Sequence, residues 1–295
     1  MSALLAAIDV GSNAVRLFIA RACREDGKIE IRKQNFFRIP LRLGKDVYND
    51  GVISPERAEM FIETMVAFKH LVGIYKPDKL KACATAAIRE AENGAEILGR
   101  AEQKTGLKIN VIDGLEEARL IRNTASIKDN RSYELTMFMY VGGGSTEISV
   151  LSDKQLLGQE SFKIGTLRML SGKVTKQHWL ELYQWLEQYT DAFGKINLVG
   201  SGGNINKLVK LFGRPKENLM IYNNLKYAYT HLKAMPVSER MSVFNLREDR
   251  ADVIVPASEI FLNVMEKIKT DHVLAPKIGV ADGLIYEMYE QMSSD

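Results

Sequence analysis

Two glycine–serine bends, about 130 residues apart, constrain this chain more than any other feature. The first follows the apolar run from Leu4 to Val10 and reads Gly11-Ser12-Asn13. The second follows a run ending at Tyr140-Val141 and reads Gly142-Gly143-Gly144-Ser145. After the first bend Val15, Leu17 and Ile19 alternate with Arg16 and Phe18. Period-two alternation on both sides of a short glycine turn predicts a β-hairpin. Glycine permits positive φ and brings backbone N–H groups close to a ligand with no Cβ in the way. Successive N–H groups in such a turn form a concavity for anions. Two such bends suit a chain of phosphates.

The rest of the pattern predicts two related halves. Residues 4–10, 14–22 and 28–39 read as a three-stranded meander, followed by a polar loop through Arg42, Gly44, Lys45 and Asp46. Ser54-Pro55-Glu56 combines a capping residue, a proline suited to the first helical position and an acid that complements the dipole. The helix it opens extends to about Ile74. A strand at 80–84 leading into Thr85 to Ala91, a helix that then runs to about Thr105, a strand at 108–112 and a helix from Glu116 complete the first half. The polar stretch Lys128 to Ser132 marks the boundary, giving domains of residues 1–128 and 129–295. Beyond it the meander restarts, with strands at 135–141, 146–151 and 154–162. Then come a helix from Thr175, a strand at 196–199, the turn Gly200 to Asn204 and a helix at 205–212. Residues 217–269 read as largely helical, 272–274 as a last strand, and 280–293 as a closing helix able to pack back on the first domain. Meanders followed by helix-linked strands predict an α/β fold with two mixed five-stranded sheets flanked by helices.

Composition excludes several classes. No run approaches the roughly 18 apolar residues of a membrane span, and the N-terminus leads directly into a strand rather than a signal peptide. A net charge of +3 is too small to indicate nucleic acid. The four histidines show no metal-ligand spacing, and the two cysteines, Cys23 and Cys83, read as reduced thiols. A cytoplasmic protein with no membrane or nucleic-acid partner is expected, with a homodimer the default assembly for such enzymes.

Neither the P-loop spacing nor a dinucleotide G-x-G-x-x-G after the first strand occurs. The candidates for chemistry therefore gather at the bends. Asp9 precedes the first; it suits an Asx turn or, with Glu147, a water-bridged Mg²⁺ site. Glu117, in the acidic pair Glu116-Glu117 at a helix start, complements the dipole or deprotonates an attacking water. Arg89 offers planar donors for phosphate oxygens. Gly202-Gly203 forms a third strand–glycine–helix turn.

At these residues the chain resembles the exopolyphosphatase/guanosine pentaphosphate phosphohydrolase (Ppx/GppA) family of the actin-like ATPase superfamily. The matching segments include Asp9 to Asn13 with Arg16-Leu17, Ala84 to Ala91 with Asn93, Gly114 to Leu120, Gly142 to Glu147, Gly165 to Arg168, Gly200 to Gly203 and Ala281 to Leu284. They follow the family order over essentially the whole chain. The resemblance implies two ribonuclease-H-like domains with an interdomain cleft. It also implies a Mg²⁺-dependent hydrolase that removes terminal phosphate from inorganic polyphosphate or a guanosine penta/tetraphosphate. By the same resemblance Glu117 is the base. Gly11, Ser12, Asn13, Arg89, Gly142, Gly143, Gly144, Ser145, Gly202 and Gly203 form the phosphate cradle, and Asp9 and Glu147 flank the metal. One position departs: Tyr140 stands where the family carries an aspartate. A phenol is neutral at pH 7 and a poor Mg²⁺ ligand. Three readings follow: an enzyme using the remaining carboxylates, an enzyme with another substrate, or a member that binds phosphates without turnover. A sugar- or acetate-type kinase of the same superfamily is a further alternative, disfavoured by the segment Glu116 to Arg119.

Overall fold

The computed structural model describes residues 2–124, 133–153, 155–190 and 195–294. The boundary expected at residue 128 lies outside the described residues. The chain divides into two compact units, one of Met1–Thr124 with Gly279–Asp295, the other of Ala125–Ile278.

The first unit begins with β1 (Ser2–Val10), β2 (Val15–Glu25) and β3 (Lys28–Ile39). Helices α1 (Leu43–Asp50) and α2 (Pro55–Tyr75) lead to β4 (Lys79–Ala84), then α3 (Ala86–Glu90), α4 (Gly94–Thr105), β5 (Asn110–Val111) and α5 (Gly114–Thr124). The sheet order is β3-β2-β1-β4-β5, with β1 antiparallel to β2 and parallel to β4. From residue 3 onward β1 is almost wholly buried, as a central strand covered on both faces must be. Helix α2 starts as its sequence dictates: Ser54 Oγ accepts from the Arg57 N–H, and Pro55 occupies the first turn.

The second unit repeats the meander as β6 (Leu135–Val141), β7 (Thr146–Ser152) and β8 (Gln155–Phe162). It continues through α6 (Thr166–Leu170), α7 (Lys176–Thr190), β9 (Ile196–Ser201), α8 (Gly203–Phe212), β10 (Leu219–Ile221), α9 (Tyr222–Ala234), α10 (Val237–Phe244), α11 (Glu248–Ala251), α12 (Ile254–Lys267) and β11 (His272–Leu274). Its sheet runs β10-β11-β9-β6-β7-β8. The core lies on the face carrying Met137, Met139 and Val141, packed with Ile148, Leu198 and Phe261. The chain then ends in α13 (Val280–Ser294), which packs across β1, β2 and α5 of the first unit.

Two expectations need correction. The second sheet has six strands rather than five, because Leu219–Ile221 pairs antiparallel with β11 inside a stretch that reads as helical. Three residues are too few for period two to show against helical neighbours. The polar loop at Arg42–Asp46 is instead the start of α1. It begins after Arg42 in the left-handed region (φ 56°), and it is stabilised because Asp46 accepts from Ser54 and Arg57. The helix expected to run to about Thr105 is α4, set off from α3 by residues 91–93. There Asn93 bonds both backbone groups of Ile53, donating through Nδ2 (2.8 Å) and accepting at Oδ1 (2.9 Å).

Candidate active site

In the first unit the bend after β1 is closed by the Gly11 N–H donating to the Ala14 carbonyl at 3.1 Å. The bend is then pinned from outside. Arg42 and Gly44 donate their N–H groups to the carbonyls of Asn13 and Ser12, and Ser12 Oγ shares a 3.0 Å hydrogen bond with Tyr48 Oη. Because those carbonyls are engaged by α1, the bend is fixed by a helix that sequence periodicity does not reveal.

Asp9 is 3% exposed and accepts from Arg16 across the β1–β2 ladder. Its parallel neighbour on the other side is Cys83. Burial pushes the Cys83 thiol well above its ordinary range, and the negative charges of Asp9 and Glu117 add to that shift while Arg16 opposes it. Asp9, Cys83 and Glu117 therefore share one electrostatic neighbourhood. Glu117 is 4% exposed in the first turn of α5, its N–H donating to Asp113 O at 3.1 Å.

The helix that carries Glu117 is held by an ion network. Arg119 chelates Glu116 through Nε (2.7 Å) and Nη2 (2.6 Å), and it also donates to Glu287 of α13. Glu287 in turn accepts from Lys81 of β4 at 2.7 Å. Burial alone would raise the pKa of Glu287, but donation from Lys81 and Arg119 outweighs it and holds the carboxyl below its usual range. Arg89 is half-buried and donates to Ile112 O at 2.7 Å, bracing the segment ahead of α5. Asp282, in the first turn of α13, accepts from the Gly279 N–H at 2.9 Å, and burial pushes its pKa up to about 6.

In the second unit the equivalent bend closes in the same way, Gly142 N–H to Ser145 O at 2.9 Å. The start of α6 takes up its carbonyls. Thr166 donates to Gly142 O, Leu167 and Arg168 donate to Gly143 O, and Arg168 Nε donates to Gly144 O at 2.7 Å. A Cβ on Gly165 would lie 2.3 Å from the Gly144 carbonyl carbon, so only glycine allows this approach. The N–H groups of Gly143, Gly144 and Ser145 find no carbonyl partner among the described residues. Oriented peptides with engaged carbonyls and available N–H groups are an anion-binding arrangement.

Gly202 opens the third turn at φ +116°, a conformation that disfavours any side chain, and α8 follows with no side-chain cap. Arg250 lies against Gly203 and donates to its carbonyl at 3.0 Å. Glu147 is 1% exposed, and its Oε1 accepts from Ser161 Oγ at 2.9 Å.

The expected residues thus form two groups. Asp9, Gly11, Ser12, Asn13, Arg89 and Glu117 belong to the first unit; Gly142 to Ser145, Glu147, Gly202 and Gly203 belong to the second. Tyr48, Arg168 and Ser201 contribute without having been singled out as site residues. Arg168 and Ser201 carried a signal, since both lie in segments that resemble the family, whereas Tyr48 carried none. Among the described residues no three His, Cys, Asp or Glu side chains gather at metal-binding spacing. No helix among the described residues is long and apolar enough to cross a membrane.

Comparison with known proteins agrees with this architecture. The family described as Ppx/GppA phosphatase matches residues 36–292. The guanosine-5'-triphosphate,3'-diphosphate pyrophosphatase of Photobacterium profundum is 24% identical over 99% of this chain, which spans 60% of that longer relative. Exopolyphosphatase 1 of Mycobacterium leprae is 26% identical over 95% of this chain and 88% of its own length. The crystal structure of the Aquifex aeolicus member of the Ppx/GppA family superposes with a TM-score of 0.76 at 26% identity, covering 99% of both chains. The chain belongs to the Ppx/GppA phosphatase family.

Proposed function

We propose that the protein is a phosphoanhydride hydrolase that releases terminal phosphate from inorganic polyphosphate or from guanosine pentaphosphate. The observation that carries this reading is the burial of Glu117 beside Asp9 and Cys83, with α5 locked from both sides by Arg119, Glu287 and Arg89. A carboxylate fixed on a helix near a phosphate-binding bend suits a base that orients and deprotonates water. Phosphoryl transfer needs positioning and charge stabilisation more than covalent chemistry.

In the proposed reaction Glu117 accepts a proton from a water whose oxygen attacks the terminal phosphorus. The bridging P–O bond breaks and the shortened chain leaves with the electron pair. Backbone N–H groups of a glycine bend neutralise charge on the phosphoryl oxygens. Asp9 in the first unit and Glu147 in the second are each a buried carboxylate that would suit Mg²⁺, an ion content with one carboxylate completed by water and phosphate oxygens. When bound, the ion would supply additional neutralisation of phosphoryl charge. Membership of the family supports hydrolysis, and the names of the two relatives supply the two candidate substrates.

Tyr140 favours a second reading, binding without turnover, because a neutral phenol whose ring lies against Gly142 and Gly202 stands where the family carries a carboxylate. Phosphate release from long-chain polyphosphate and from guanosine pentaphosphate, with and without Mg²⁺ and beside Glu117→Gln, decides. Release by the parent that collapses in the variant is expected. Equal release by both, or none by the parent, rejects the hydrolase.

A further inference from the structure

A charged bridge across three elements ties α5 to the first sheet. Lys81 Nζ on β4 donates to one carboxylate oxygen of Glu287 on α13, and Arg119 Nη2 on α5 donates to the other. Arg119 also grips Glu116, the residue beside Glu117, through two hydrogen bonds. Lys81 lies two residues before Cys83, so both side chains leave the same face of β4. Cys83 is the parallel strand neighbour of Asp9 and feels the charge of Glu117. The bridge thus joins the helix that carries Glu117 to the strand that borders Asp9.

Helix α13 holds α5 at a second point, one turn earlier. A Cβ on Gly283 would lie 2.5 Å from the Leu120 carbonyl oxygen, so only glycine lets the two helices meet there. One close contact fixes the distance between helices but not the rotation of either about its own axis. The apolar grip on α5, at Ala118, Leu120 and Ile121, has no preferred direction. The charge-assisted bonds of Arg119 do have one. With Lys81 and Arg119 each 35% exposed, such a bridge adds little to stability.

We infer that Glu287 is a positioning residue for Glu117: acting through Arg119, it sets the rotation of α5 against β4. The inference rests on the hydrolase reading above and adds to it a residue of the closing helix that governs the base.

Glu287→Gln keeps the volume but leaves one carbonyl oxygen for two cations, so it opens the bridge. Lys81→Met opens it from the strand end. Both are tested by phosphate release from long-chain polyphosphate and from guanosine pentaphosphate, with Glu117 present and in the Glu117→Gln background. Calorimetry with inorganic imidodiphosphate, whose P–N–P bridge resists hydrolysis, reads binding, and urea denaturation reads stability. A misplaced base predicts a kcat lower by about 10- to 100-fold in either variant. Imidodiphosphate affinity and the urea midpoint should stay near those of the parent. In the Glu117→Gln background neither change should lower release further, because no base remains to be placed. Parent-like kcat in both variants, or an equal fold-loss in the two backgrounds, would overturn the inference and leave the hydrolase reading intact. A matching loss of imidodiphosphate affinity, or a large fall in the urea midpoint of both variants, would overturn it too. Glu287 would then serve binding or the fold. No release by the parent from either substrate would remove the hydrolase reading and this inference with it.

Discussion

The two sheets present the same three positions with opposite chemistry. In the first unit the central row is Arg16, Asp9 and Cys83; in the second it is Glu147, Tyr140 and Ser201. Each row crosses from the hairpin partner through the strand that precedes the bend to the parallel neighbour. The bends above them close with the same hydrogen bond. The backbone is thus repeated while the side chains are not. The first row balances a buried carboxylate against a guanidinium. The second keeps its carboxylate at one end and places two hydroxyls at the middle and the other end. A shared fold fixes where groups stand, and the residues at those places decide which part of a polyanion each half can address.

The largest expected effect sharpens the assignment of chemistry to the first unit. Glu117→Gln should lower phosphate release by about 10²- to 10⁴-fold, with imidodiphosphate affinity retained, as read by steady-state release beside calorimetry. Retained turnover would move the base elsewhere.

Stability then separates the rows. Arg16→Ala strands Asp9 as a buried charge and should cost about 3 kcal/mol in urea denaturation. Tyr140→Phe should cost less than about 1 kcal/mol, because only a hydroxyl leaves. Equal costs would break the contrast. Gly202→Ala tests the turn of the second row: at φ +116° a side chain should cost about 1–3 kcal/mol, measured the same way.

A further effect is a pH dependence confined to the first unit. The pKa of Asp282 is raised to about 6, chiefly by burial and further by Asp9, against the Gly279 N–H, its own N–H and Lys33. A carboxyl raised in the folded state favours the fold while protonated. Stability should therefore fall as pH rises from about 4 through about 6, by about 1–2 kcal/mol. Asp282→Asn should flatten that slope. An unchanged slope in the variant would assign the titration to another group.

Much of the scaffold can be read from residue order because its causes are local. The alternation around Gly11-Ser12-Asn13 and the capping group at Ser54 act over a few positions, and both elements form where the pattern predicts them. Helix α1 escapes such reading because its start needs Arg42 in the left-handed region and Asp46 bonded to a residue eight positions on. Strand β10 escapes because three residues carry no periodicity, and its identity comes from pairing with β11, more than 50 residues away. Arg89 shows the limit at single side chains. Its charge suits a phosphate, while its placement reveals a brace on Ile112.

Sequence alone determined the repeated meander, the glycine bends, the acid pair at the start of α5 and the family, since these depend on local conformational preference and on residue order. Only the tertiary structure decided that α13 returns to cover the first sheet, that Asp9 and Glu117 share a neighbourhood with a buried thiol, and that the Tyr140 ring lies against Gly142 and Gly202. Those facts depend on strand register and on contacts between residues far apart in the chain. Register is set by how whole faces bury together, and no short stretch of sequence contains that information.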